Sequence, residues 1–191
     1  GAKDNVQALQ SDAIRALIAD CEAVGAGRFV QISAPGAAPD ADTPFYRTKG
    51  EADAALKSSA LDWTIFRPGI VIGSSAYGGS GLLRMLAAFP VVQPLVMADA
   101  MVQTVSVEDI STAALSAVEG LNPMMLSEKI ALVTGARGGI GRAIVARFLR
   151  EGATVYAADL TPEGSLDQHD DDGSHFGKLD VTQEADAIAA M

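Results

Sequence analysis

Little in this chain of 191 residues could cross-link, chelate or span a bilayer. It has a single cysteine, Cys21. That excludes an internal disulfide framework and fits a reducing compartment. Cys21 lies among apolar helical positions and reads as core. The two histidines, His169 and His175, flank an acidic loop without metal-ligand spacing. The Asp170-Asp171-Asp172 run beside them reads as a solvated loop, so no metal is expected. Basic residues are also scarce, 14 against 24 acids, for a formal charge of −10. This argues against nucleic acid and anionic membranes as partners, since both call for a basic surface. The most apolar region, Leu82 to Val102, is interrupted by Arg84, Pro90, Pro94 and Asp99, so it is not a membrane span. No charged-then-apolar leader opens the sequence, which makes the cytoplasm the expected location. No internal repeat is found. What remains is 49% apolar and 20% charged, an ordinary globular composition. The length suits one domain with a real core, or two very small ones.

The stretch that organises the chain is Lys129-Ile-Ala-Leu-Val-Thr134-Gly135-Ala-Arg137-Gly138-Gly139-Ile140-Gly141. An apolar run, Ile130 to Val133, breaks into glycines. Apolar residues then recur at spacings of three and four: Ile140, Ile144, Val145, Phe148. This pattern predicts strand, tight turn, helix. A buried strand feeding a glycine loop at a helix start is suited to a pyrophosphate. Glycines let the phosphate approach, and free N–H groups at the helix head face the anion.

Glycines alone are not specific, but their context is. A second strand, Ala153 to Ala158, ends in Asp159, where a carboxylate can take a ribose 2′-hydroxyl. The same charge repels a 2′-phosphate, so NAD is expected rather than NADP. Phe176 to Asp180 reads as a short third strand ending on an acid, with a helix starting at Thr182.

Thr134-Gly-x-x-x-Gly-x-Gly141, with Asp159 and Asp180-Val181, resembles the N-terminal half of a short-chain dehydrogenase/reductase, over about residues 125–191. The resemblance implies a Rossmann-like α/β fold. It implies cofactor contacts from Gly135, Arg137, Gly139, Ile140, Gly141, Asp159 and Leu160, with Asp180-Val181 at the adenine. Arg137 stands one position before the place where some family members carry a basic residue for NADP, so Asp159 decides for NAD.

The first 120 residues read as helix over 5–24, closing at Gly25 and Gly27, then a buried strand, Arg28 to Ser33. A proline-bearing loop leads to a helix from Phe45 to Leu61, with Ala52, Ala55 and Leu56 inward and Lys49, Glu51, Asp53 and Lys57 available to solvent. Asp62 to Gly73 is a strand running into a Pro-Gly turn. A short helix over Leu82 to Ala88, a strand over Gln103 to Ser106 and a helix from Val107 to about Gly120 complete this part. Phe29-Val-Gln-Ile-Ser33, Phe45-Tyr46-Arg47-Thr48-Lys49 and Thr64-Ile-Phe-Arg67-Pro68-Gly69 resemble the C-terminal part of extended or atypical members of the same superfamily.

The order of the two halves is thus reversed. One permuted Rossmann-like domain is expected, with a C-terminal-type half (1–120), a joint (121–128) and a dinucleotide-binding half (129–191). It would be a doubly wound parallel sheet with helices on both faces. No apolar run fits its central fourth strand. Fusion of two truncated reading frames explains the order, as does circular permutation; the chain begins and stops within expected helices.

In this superfamily a tyrosine four residues before a lysine handles the substrate proton, and a serine orients the substrate oxygen. The chemistry needs a phenol beside a cation, and positions i and i+4 share one helix face. Here Phe45 stands four before Lys49, and Tyr46 three before it. The resemblance implies Ser33, Tyr46 and Lys49 as the catalytic set, and Pro68-Gly69 as the turn lining the nicotinamide. The expected function is hydride transfer between NAD and a small alcohol or carbonyl compound. A dinucleotide-binding module without turnover, which Phe45 permits, is the alternative, as is a chimeric fragment without activity of its own. The apolar residues from Gly73 to Val102 offer either a greasy substrate surface or a homodimer face.

Overall fold

A computed structural model of the protein describes residues 6–73, 78–88, 103–119, 126, 129–159 and 174–178. A π-helical turn, Ala8–Asp12, runs directly into α1, Ala13–Val24. Ala13, Leu17 and Ile18 form the buried stripe of α1. The helix closes where expected, at Gly25, whose N–H reaches back to the carbonyls of Cys21 and Glu22.

Strand β1, Phe29–Ile32, pairs in parallel with β2, Trp63–Phe66, with Phe29 opposite Trp63 and Ile32 opposite Phe66. Helix α2, Pro44–Ser58, crosses between them. It starts at Pro44 because the fixed φ of proline suits a first helical residue, and the Thr43 hydroxyl accepts the N–H of Tyr46 at 3.4 Å. Asp53 departs from expectation. The sequence placed it with the solvent-facing charges of this helix, yet it is 1% exposed. It faces Gln31, Ser33 and Arg67, which hydrogen-bond and neutralise it, and a paired acid can be buried where a lone one cannot.

The strand from Asp62 ends at the expected Pro68-Gly69 turn, and beyond it a further strand, β3, Ile70–Ile72, pairs in parallel with β4, Thr104–Ser106, rather than with β1. Helix α3, Gly78–Ala87, begins earlier than expected. Helix α4, Val107–Glu119, is capped by Ser106, whose hydroxyl accepts the N–H of Asp109 at 2.9 Å. Glu108 and Asp109 stand in its first turn, where the helix dipole favours acids.

The last third follows the sequence reading closely: β5, Ile130–Thr134, then α5, Gly139–Arg150, then β6, Thr154–Asp159. Strand β7, Ser174–Lys178, lies about two residues earlier than the expected third strand. The three strands form one parallel sheet in the order β5-β6-β7. Leu160, Asp180, Val181, the acidic loop with His169, most of the joint and all of the apolar 89–102 segment lie outside the described residues.

The expected class holds: the fold is α/β and Rossmann-like, built of parallel strands joined through helices. Among the described residues the strands lie in three parallel sheets, β1-β2, β3-β4 and β5-β6-β7. No described strand joins β1 to β5, which is where the sequence offers no fourth strand. Packing crosses that gap. Ala114 and Leu115 of α4, Leu126, Val133 of β5, Ile144, Val145 and Phe148 of α5, and Val155 of β6 form one buried cluster, with Val30 of β1 against it. Each such large side chain taken out of water contributes about 1.5–3 kcal/mol. Arg28 adds a polar tie, donating to the carbonyl of Ala117 in the last turn of α4 while pairing with Asp62. Among the described residues no helix is long and apolar enough to cross a membrane.

Candidate functional site

The carboxyl end of β5 turns at Gly135, whose φ of 64° lies in the left-handed region that other residues seldom adopt. The turn closes with the Gly138 N–H donating to the Gly135 carbonyl at 3.0 Å. It is also tied sideways to β6. The Ala136 N–H donates to the Ala158 carbonyl at 3.1 Å, and the Arg137 N–H to Asp159 Oδ2 at 3.0 Å. The glycine loop and the acid at the end of the second strand, predicted separately, therefore meet.

The first bond of α5 runs from the Arg142 N–H to the Gly138 carbonyl, and no side chain caps the helix at Gly138. The amides at its head have no partner within the helix, which is the arrangement that receives an anion. A Cβ added to Gly139 would meet nothing within 4 Å, so this face is open. At Gly141 the reverse holds. A Cβ there would collide with the carbonyl oxygen of Gly135 and stand 2.9 Å from Ala136 Cα. Gly141 thus lets the helix press against the turn, with Ile140 packed against the core. An open amide cradle with a carboxylate at its side fits a dinucleotide: diphosphate on the amides, ribose on the acid.

The second cluster sits at the end of β1. The Ser33 N–H donates to the Phe66 carbonyl at 2.7 Å, and its hydroxyl donates to Asp53 Oδ2 at 2.8 Å. Lys49 Nζ donates to the Ile32 carbonyl at 3.2 Å and lies 5.6 Å from the centre of the Phe45 ring. Burial pushes the Lys49 ammonium below the ordinary lysine range, and the nearby charge of Asp53 opposes that shift. Ser33 and Lys49 are thus together. The ring against the ammonium is that of Phe45, while Tyr46 is 38% exposed and meets Phe45 edge-on, with centroids 5.2 Å apart.

Pro68 and Gly69 line an open cleft of about 540 Å³ with Phe66, Arg67, Gln103 and Asp109, and the glycine loop is not part of its lining. Sequence reasoning missed Gln31, Asp53 and Arg67. Lys49-x-x-x-Asp53, one helical turn on a shared face, was the signal available for the acid.

Two family profiles match the chain. One described as NAD(P)H-binding covers residues 1–84, and one described as short chain dehydrogenase covers residues 129–191. The chain belongs to the short-chain dehydrogenase/reductase superfamily. Superfamily relatives include a mitochondrial borneol dehydrogenase of Lavandula x intermedia, 44% identical over 66 residues, covering 35% of this chain and 26% of the relative. D-threitol dehydrogenase of Mycolicibacterium smegmatis is 40% identical, with 34% and 29% covered. A (3R)-3-hydroxyacyl-CoA dehydrogenase of Canis lupus familiaris is 56% identical over 39 residues, with 20% and 15% covered. The chain therefore spans less than a third of the length of these dehydrogenases. No solved structure matches it. Membership in this superfamily makes the cofactor a nicotinamide dinucleotide.

Proposed function

We propose that the chain is an NAD-binding oxidoreductase that moves a hydride between the nicotinamide and a small alcohol or carbonyl compound. The hydrogen bond from the Arg137 N–H to Asp159 Oδ2 carries the reading, because it holds a carboxylate beside the open glycine loop. There the acid takes ribose hydroxyls and repels the 2′-phosphate of NADP. The amides at Gly139, Ile140 and Gly141 hold the diphosphate, and Gly135 shapes the turn. Leu160 and Asp180-Val181 serve the adenosine end, and Pro68-Gly69 the nicotinamide end. When bound, the nicotinamide supplies the hydride acceptor or donor. Ser33 orients the substrate oxygen, Tyr46 exchanges the proton, and Lys49 supplies the adjacent positive charge.

A second reading, a dinucleotide-binding module without turnover, is favoured by the Phe45 ring standing one turn from Lys49 and against its ammonium. In either case we take residues 1–120 and 129–191 as one permuted domain joined through 121–128. The buried cluster that draws on both parts supports this. A cytoplasmic location accords with the single free thiol. Leu83 and Met85, 48% and 59% exposed on α3, support a homodimer face.

NADH fluorescence titration tests the first step. Saturable binding that Asp159→Ala weakens supports the reading, and no saturable binding by the wild-type chain overturns it. Turnover of alcohols that Tyr46→Phe abolishes then separates the enzyme from the module.

A further inference from the structure

Beneath Ser33 and Lys49 lies a carboxylate that the serine–tyrosine–lysine set leaves without a role. Asp53 accepts Gln31 Nε2 at 2.7 Å on one oxygen. On the other it accepts the Ser33 hydroxyl at 2.8 Å and Arg67 through Nη2 at 2.6 Å and Nε at 3.0 Å. Three elements converge on it: β1 brings Gln31 and Ser33, the end of β2 brings Arg67, and α2 brings the acid itself. A carboxylate at 1% exposure is tolerable because its charge is matched by Arg67 and both of its oxygens are hydrogen-bonded. Removing Gln31 would leave Oδ1 without a partner, and removing Arg67 would leave the buried charge unmatched.

The arrangement acts on two side chains of the proposed site. The proton of the Ser33 hydroxyl is committed to Asp53, so the direction of this side chain is fixed. Lys49 precedes Asp53 by four residues on α2, which puts the ammonium and the carboxylate on one helix face. Lys49 meets the Phe45 ring from its own helix and the Ile32 carbonyl from β1; the charge of Asp53 also acts on it, and that carboxylate is paired with Arg67.

We propose that Asp53 is a positioning residue that fixes the Ser33 hydroxyl at the carboxyl end of β1 and sets the charge environment of Lys49, four residues before it on the same helix, with Arg67 as its counter-charge. The inference rests on Ser33 and Lys49 being site residues, as in the function proposed above. Asp53 touches no substrate; it acts through Ser33, which it fixes, and through its charge on Lys49.

The test uses the full chain with its lysines reductively ¹³C-methylated, which preserves their charge, and follows each methyl signal against pH by NMR. Loss of one signal in Lys49→Arg assigns Lys49. In Asp53→Asn the Lys49 midpoint is expected to fall below that of the wild type, because burial then acts unopposed. NADH affinity is expected to change less than about twofold, since the glycine loop is a separate site. An unchanged midpoint in a folded Asp53→Asn protein overturns the proposal. Should that variant not fold, the wild type decides. Its Ser33 hydroxyl proton, buried on a carboxylate, should give a slowly exchanging resonance that Ser33→Ala removes, and absence of that resonance is equally fatal. Failure of the wild type to bind NADH would count against the cofactor reading and leave the Lys49 measurement standing.

Discussion

The backbone N–H of Arg137 donates to Asp159 Oδ2 at 3.0 Å, across 22 positions of sequence. The acid that closes β6 is thereby fastened to the loop that opens α5. Asp159→Ala should weaken NADH binding roughly tenfold to a hundredfold, the range for losing hydrogen bonds to a charged group. NADPH should lose less, because the repulsion of its extra phosphate disappears as well. Fluorescence titration with both nucleotides checks this, and an equal loss for the two would count against Asp159 as the discriminating group.

Two glycines two positions apart on α5, Gly139 and Gly141, should behave in opposite ways. Gly139→Ala adds a methyl to open space and should leave the melting temperature near that of the wild type, while obstructing the diphosphate. Gly141→Ala drives a methyl into the Gly135 carbonyl and should cost about 1–3 kcal/mol of stability. Thermal melts alongside NADH titrations distinguish these outcomes. Similar melting losses for both variants would contradict the geometry.

The proposed proton transfer turns on Phe45 and Tyr46. With Tyr46 as the working acid, Tyr46→Phe should lower kcat/KM by a factor on the order of 10²–10⁴ and leave NADH affinity alone. If instead Tyr46→Phe changes nothing while Phe45→Tyr brings turnover, the chain is a binding module whose relay ends in a phenyl ring.

Glu51 gives a pH prediction with a definite sign. Hydrogen bonds from Gln7 at 2.8 Å, then from Ser11 at 2.7 Å, hold its carboxyl below the ordinary glutamate value of 4.5. A depressed folded pKa contributes stability that is present above 4.5 and is lost as pH falls through the lowered value. Glu51→Gln should therefore lose less melting temperature than the wild type between pH 5 and more acid solution, as followed by circular dichroism. An identical acid slope in both proteins would remove Glu51 from the account.

One cooperative unit is expected. Trp63, on β2, is the only tryptophan and reports on the first part of the chain, whereas Phe148 is buried in the second. Phe148→Ala should cost about 3–5 kcal/mol and shift the Trp63 fluorescence transition together with the far-UV one. A Trp63 transition left at its wild-type position would mean that the two parts unfold separately.

How much of this was legible depended on distance along the chain. The strand, glycine turn, helix and acid between Ile130 and Asp159 are local signals, and the structure reproduces them almost residue for residue. Asp53 was not legible, because polarity alone sends an acid to solvent. Its partners lie 22, 20 and 14 positions away, so the pairing that buries it appears only once β1, β2 and α2 are assembled. The pairing of the segment after the Pro68-Gly69 turn was hidden for a similar reason. Ile70 to Ile72 looks like a continuation until β4 supplies a different neighbour. Strand β7 was misplaced by about two residues because the register against β6 sets Asp159 opposite Lys178, while the apolar residues alone suggested a later span.

Gly50 sets a boundary for anyone redesigning this protein. A Cβ on that residue would run into the main chain of Ala38, so α2 and the segment leaving Ser33 touch backbone to backbone. Enlarging position 50 would pry α2 away from that segment. Variation belongs at the exposed Pro39 and Asp40, where new side chains can be accepted without moving the helix that carries Lys49.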